Sequence, residues 1–378
     1  MLHFTQQEFD ARLVRTRAEM AEQGLDALLV FAPESQYWLT GYDTFGYCFF
    51  QCLVVSDQHL VLLTRSADLR QAQLTSTISD IRIWRDREGA NPSEDLAAML
   101  QELGLSNRRV GWETATHGLT HANGARVAAQ IPGLIEASDL VPGLRLIKSP
   151  AELDCVREAA RLGDLAWDAA LEETKAGAEE GQILAAMQGA VFAGGGDYAG
   201  NEFIIGSGRY ALLCRYQSGR RRLDAQDQIT FEWAGVSKRY HAALMKTVVI
   251  GEPTPRHLLL QEGAEAALAA CEAALKPGNT LGQVFSAHAE TLDAFGLSKH
   301  RLNACGYSLG ARFSPSWMDE SMIYENASTV IAPGMVIFLH MILMDSESET
   351  AMCLGRTSII GETGPDPLSR MPLELVSR

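Results

Sequence analysis

Positive charge is scarce in this 378-residue sequence: 32 Lys plus Arg stand against 47 Asp plus Glu, a formal net charge of −15. A field of that sign repels phosphate backbones and anionic headgroups, so no nucleic-acid partner and no membrane docking are expected. Long apolar runs are missing too. The longest, Met335 to Met344, is interrupted by His340 and falls short of the roughly 20 residues that cross a bilayer. The opening segment MLHFTQQEFDARLVRTR turns amphipathic without an apolar stretch, which predicts no secretory signal and a cytoplasmic protein. Cysteines, at 48, 52, 155, 214, 271, 305 and 353, are odd in number and form no CxxC pair. They read as buried reduced thiols, not as a disulfide framework or a zinc cluster. No P-loop, GxGxxG, HExxH or GxSxG occurs, so nucleotide, dinucleotide, zincin and α/β-hydrolase chemistry lose their usual signatures. Low-complexity segments and short-period repeats are absent as well. What remains is a globular composition, 47% hydrophobic and 21% charged, long enough for two domains and suited to a small-molecule substrate.

Residues 6–24 carry Phe9, Leu13 and Met20 at helical spacing and end at Gly24. Short β-rich runs follow at 27–33, 49–56, 59–65, 81–85 and 109–113, separated by helical patterns at 93–104, with Ser93 as N-cap, and 120–130. This alternation predicts a layered α/β domain over residues 1–147. Ser149 then caps a helix with Pro150 at its first position. Beyond it, helices at about 150–175, 180–194, 257–275 and 280–295 are joined by the strands QITFEWAG, MKTVVIG, GMVIFLHMIL and TSIIG. Residues 148–378 therefore read as an α+β domain with a curved antiparallel sheet.

Polar and aromatic residues concentrate in four segments expected to be strands or strand ends: 206–222, 231–247, 305–320 and 333–345. Glu232 lies between Phe231 and Trp233 and either alternates onto a solvated face or occupies a pocket. His340, with apolar neighbours on both sides, is either a hydrogen-bonded structural residue or a general base. Tyr307, between Gly306 and Ser308, offers a phenol beside a tight turn. His241 sits in a Tyr-His-Ala-Ala run, and Arg215 follows Leu-Leu-Cys near the Arg-rich 220–222 run.

The motifs YWLTGYDTF at 37–45, RLIKSPAEL at 145–153, KPGNT at 276–280, GYSLG at 306–310 and PGMV at 333–336 occur in an order that resembles the creatinase, prolidase and methionine-aminopeptidase superfamily. The resemblance spans nearly the whole chain. It implies a creatinase-type N-terminal domain and an α+β pita-bread C-terminal catalytic domain, with the site on the concave face of its sheet. Creatinase-like proteins pair, so it also implies a homodimer, with Trp38, Tyr42 and Phe45 closing a neighbouring subunit's site.

Metallopeptidases of this superfamily hold two divalent ions through Asp, Asp, His, Glu and Glu. The matching positions here are Glu232, Ala243, Tyr307, His340 and Gly355, a set that lacks the anionic donors a two-ion site requires. No metal and no cofactor are therefore expected. The segments KRYH at 238–241, EWAG at 232–235, GGDY at 195–198 and SPSWMD at 314–319 look like ectoine hydrolase, which is metal-free like creatinase. The sequence departs from both where they keep a histidine base, a place taken by Arg215, and where creatinase has a catalytic Glu, a place taken by Met245. An arginine cannot act as a base at neutral pH but clamps carboxylates well.

The expected activity is metal-independent hydrolysis of a C–N bond in a small polar nitrogen compound. Glu232 or His340 would activate water and Tyr307 would donate to the developing oxyanion. Arg215 would hold a carboxylate, and Tyr240, His241 and Trp317 would wall the substrate pocket. The rivals are a dipeptidase or lyase with one ion at Glu232, His340 and His241, and a non-catalytic binding relative.

Overall fold

Strand parity decides which side chains of this protein meet the core. In the computed structural model, which describes residues 2–216 and 220–378, the chain forms two compact units, 1–145 and 146–378. Among the described residues, no helix is long and apolar enough to cross a membrane.

The first unit is a mixed sheet of β1 (Ala27–Val30), β2 (Cys52–Ser56), β3 (Leu60–Arg65), β4 (Asp80–Trp84), β5 (Val110–Trp112) and β6 (Ile135–Glu136), in the order β4-β3-β2-β1-β5-β6. Its central strands β1 and β2 are buried at every position because both faces are covered. Leu29, Val54 and Leu63 pack on one side, and Leu28, Leu53 and Leu62 on the other. Three helices were not read from the sequence, Pro33–Thr40, Leu69–Thr75 and Leu140–Arg145. Ser93 is not an N-cap. Pro92 takes the first helical position and Asn91 precedes it, while the Ser93 hydroxyl, inside the first turn, donates to Asn91 Oδ1 (2.7 Å). Trp38 and Tyr42, expected at a neighbouring subunit's site, are instead core residues of this unit, and only Phe45, 79% exposed, faces solvent.

The second unit begins with the helix Pro150–Glu173, capped by Ser149 with Pro150 at its first position as the sequence predicts, and Glu152 completes a capping box there. Its sheet contains β7 (Ile204–Ser207), β8 (Asp227–Ser237), β9 (Tyr240–Ile250), β10 (Ala304–Ser308), β11 (Met322–Tyr324), β12 (Val336–Asp345) and β13 (Thr350–Ile360). Their order is β11-β10-β12-β13-β9-β8-β7, all antiparallel, with β14 (Pro365–Pro367) beside β13 and β15 (Val376–Ser377) beside β9.

Directly paired residues share a face of an antiparallel sheet, so the register assigns sides. Trp233 pairs with Leu244, Leu244 with Arg356, and Arg356 with Leu339. That row lies under the helices. Trp233 Nε1 donates to Gly163 O (2.9 Å) in Pro150–Glu173, and Arg356 forks onto Glu272 (2.7 and 2.8 Å) in the helix Pro255–Ala274. Leu339 joins the core formed with that helix and with Leu281–Ala294. The neighbouring row, Glu232, Met245, Gly355 and His340, faces the opposite way.

The first helix lies very close to β8. A Cβ on Gly235 would stand 1.9 Å from Ala159 O and 2.3 Å from Gly163 N, so only glycine fits. Gly235→Ala should therefore destabilise the protein by about 1–3 kcal/mol through overpacking, read as a lowered denaturation midpoint. An unchanged midpoint would mean that the helix is not seated on β8.

Candidate active site

Glu232 projects from the middle of β8 and is 8% exposed, its neighbours being dictated by the paired strands β7 and β9. The Tyr307 hydroxyl, carried by β10, donates to Glu232 Oε1 (3.4 Å) and accepts from Trp317 Nε1 (2.8 Å). The Tyr307 and His340 rings lie 5.6 Å apart between centroids, with Phe338 against both. Glu232 and Trp317 open onto a cavity of about 400 Å³, also lined by Arg215, Glu202, Ile204 and Met318. The structure thus brings Glu232, Tyr307, His340, Arg215 and Trp317 into one neighbourhood.

Electrostatics separates their roles. Burial pushes the Glu232 carboxyl up to about 7, against the opposing pull of the Arg215 cation and the Tyr307 hydrogen bond. Burial likewise lowers His340 to about 3, helped by the neighbouring His288 and Arg215, so its ring is neutral at pH 7. His340 Nδ1 is buried without a hydrogen-bond partner among the described residues. Burial and the nearby Glu232 charge raise the Tyr307 phenol, which stays protonated. Cys214 and Cys353 also feel the Glu232 charge, and burial keeps both thiols protonated, so neither offers a thiolate.

Two expected substrate contacts are structural. Tyr240 falls on the helix-covered face, because strand alternation puts it with Ala242 and Leu244, and its hydroxyl donates to Glu152 Oε1 (2.6 Å). His241 shares the face of Glu232 but spends both ring nitrogens on the backbone. Nε2 accepts from Gly200 N–H (2.9 Å) and Nδ1 lies 3.4 Å from Gly310 O. It cannot serve as the third donor of a one-ion site, and burial first of all holds it at about 3.

The segment 206–222 is less regular than expected. After β7 it makes a short 3-10 turn, Gly208–Leu212, and Arg215 follows in a loop; residues 217–219 of the segment lie outside the described residues. Glu180, which the sequence reading passed over, anchors this loop. Its buried Oε1 accepts both the Ser207 N–H (2.9 Å) and hydroxyl (2.7 Å). Asn201 was also missed; its Oδ1 accepts the Trp317 backbone N–H (3.1 Å) and fixes the chain at that residue. No local sequence signal marks either residue, since each acts on a segment far along the chain.

The two-ion ligand set implied by the resemblance does not fit these residues. Ala243 has no donor atom, and the Tyr307 hydroxyl is engaged by Trp317 and Glu232. At Gly355 a Cβ would stand 3.0 Å from the Phe338 ring and 2.6 Å from Leu339 O, so that ring fills the space a carboxylate ligand would need. Among the described residues, no cluster of three or more His, Cys, Asp or Glu side chains is arranged to hold a metal ion.

Tyr240→Phe should lower stability by about 1–3 kcal/mol, the usual range for a lost buried hydrogen bond to a carboxylate, with no change in turnover per folded molecule. Parallel denaturation and rate measurements check this, and a KM effect at full stability would return Tyr240 to the substrate pocket.

Comparison with known proteins agrees with this architecture. The profile of the creatinase/prolidase N-terminal domain matches residues 12–147, and that of metallopeptidase family M24 matches residues 154–361. An uncharacterized hydrolase/peptidase of Sinorhizobium fredii is 28% identical across 100% of this chain and 99% of its own length. Ectoine hydrolase of Halomonas elongata is 27% identical over 99% of this chain and 98% of its own. The solved Xaa-Pro dipeptidase from Bacillus anthracis superposes with a TM-score of 0.86 at 19% identity, covering 98% of this chain and all of that one, a likeness of fold. The two profiles, read with a site built on the face of the sheet opposite the helices, make this chain a member of metallopeptidase family M24 with a creatinase/prolidase N-terminal domain, a hydrolase of the creatinase/prolidase family.

Proposed function

We propose that this hydrolase cleaves a C–N bond in a small, polar, carboxylate-bearing nitrogen compound without a metal ion, with Glu232 as the base. The observation that carries the reading is a buried carboxyl poised at about 7, hydrogen-bonded to Tyr307 and opening onto a cavity that Arg215 shares. A base works best with a pKa near the operating pH. His340, at about 3, is too weak a base to take a proton from water at pH 7, and acts as a neutral acceptor.

In this mechanism a water molecule attacks the substrate carbon as the Glu232 carboxylate removes its proton. The new C–O bond pushes the π electron pair onto the substrate oxygen or nitrogen, where the Tyr307 O–H, turned from Glu232, stabilises the charge. The Trp317 N–H keeps the phenol oriented. Glu232 then returns the proton to the leaving nitrogen, which departs with the electron pair of the C–N bond. Arg215 holds the substrate carboxylate through charge-assisted hydrogen bonds. The likeness to ectoine hydrolase supports this reading, and the substitution of donors at the two-ion positions supports its metal independence.

Three outcomes are expected with cyclic amidines, guanidino acids and Xaa-Pro dipeptides as the screening panel. First, kcat/KM for the accepted substrate rises with pH through about 7 as Glu232 loses its proton, and Glu232→Gln lowers it by about 10²-fold or more and removes that limb. Second, Arg215→Met raises KM for carboxylated substrates, losing about 1.5–3 kcal/mol, and moves the limb to higher pH because the cation that lowers the Glu232 pKa is gone. Equal losses for uncharged substrates would contradict that role. Third, activity survives exhaustive dialysis against chelator. Activity that disappears and returns with manganese, iron or zinc would overturn the metal-free mechanism.

A further inference from the structure

A second cavity, of about 290 Å³, lies beside the first, between the helix Glu180–Ala193 and the segment that carries Asp197 to Phe203. The two cavities share Asn201 and Glu202 as a common wall. That wall is firmly built. Ser314 Oγ donates to Gly200 O (3.0 Å), Gly200 N–H donates to His241, and Asn201 is tied to the Trp317 backbone. A Cβ on Gly200 would stand 2.7 Å from Ser316 O, so no side chain can be interposed there.

The lining has a definite chemistry. Phe192 and Tyr198 meet edge to face at 4.9 Å, yet remain 42% and 75% exposed. An aromatic pair in contact with water presents π faces to whatever enters. Two carboxylates, Asp197 and Glu202, share the cavity, and among the described residues no Lys or Arg lines it. Asp197 Oδ2 accepts the Arg239 backbone N–H (3.3 Å). Aromatic faces combined with acidic side chains attract organic cations and repel anions.

We propose that this second cavity binds the guanidinium or ammonium end of an alkyl-chain cation, between the Phe192–Tyr198 pair and the Asp197 and Glu202 carboxylates. Resting on the reading of the first cavity as the reaction site, the preferred substrate is then an elongated zwitterion. Its carboxylate meets Arg215, and its cationic tail passes over Glu202 into the second cavity.

Titration calorimetry of the full-length protein with butylguanidinium, and with neutral butylurea, tests this directly. Wild-type protein should bind butylguanidinium saturably and butylurea not at all. Tyr198→Ala and Asp197→Asn should each weaken binding by about 5-fold or more, as expected for losing a cation–π or a charged contact. Glu232→Gln should leave it unchanged. Unfolding midpoints verify that each variant is folded, and Phe192→Leu replaces any variant that is not. Absence of saturable binding, equal binding of butylurea, or unaltered affinity in Tyr198→Ala or Asp197→Asn would overturn the proposal. Loss of binding in Glu232→Gln alone would put the cation in the first cavity, overturning the second site while leaving the hydrolase mechanism intact. Failure of the metal-free reading would appear separately, in the chelation assay.

Discussion

The sheet of the second unit has one face sealed by helices, and everything at the candidate site depends on that constraint. Trp233, Leu244, Arg356 and Leu339 are committed to the helices by burial, stacking and an ion pair. Because side chains alternate along a strand, the commitment sends Glu232, Met245, Gly355 and His340 to the other face. A one-residue slip of β8 would send Glu232 into the helices and Trp233 to the site. Gly235, pressed against Ala159 and Gly163, and the stacked Trp167–Trp233 pair hold that register.

On the face away from the helices, burial sets the chemistry. Glu232 is removed from water with only a phenol hydroxyl and a nearby guanidinium to offset the loss, and its affinity for a proton rises toward neutrality. The same desolvation acts in the opposite direction on His340, favouring the neutral ring. One environment therefore separates an acid and an imidazole whose ordinary values differ by only about two pH units. A two-ion centre would instead need several anionic donors here, and the Phe338 ring beside Gly355 occupies the room they would take.

Much of the buried polar network positions the site without touching it. Glu180 fixes the start of the loop that carries Arg215, His241 clamps Gly200 and Gly310, and Tyr240 ties β9 to the first turn of the helix Pro150–Glu173. Each of these groups would be costly to leave unsatisfied, so each is held in one arrangement. The wall between the two cavities is a product of the same economy: Ser314, Asn201 and His241 all spend their hydrogen bonds on it.

The order of elements, the helix start at Ser149 and Pro150 and the antiparallel C-terminal sheet were legible in the sequence through local periodicity, and the meeting of Glu232, Tyr307 and His340 was implied by the ordered motifs of the family resemblance. The missed helix Pro33–Thr40 and the misplaced cap at Ser93 show where local signals compete, proline outranking serine at a helix start. Tyr240 and His241 are adjacent in sequence and both polar, yet one lies under a helix and the other spends both nitrogens on backbone groups distant in sequence. Glu180, Asn201 and the second cavity were invisible for a related reason: their partners are brought to them only by the packed sheet. Composition and pattern determined what kinds of groups were available. Pairing register, burial and long-range hydrogen bonds decided which of them face a cavity, because desolvation and donor geometry exist only once distant strands have met.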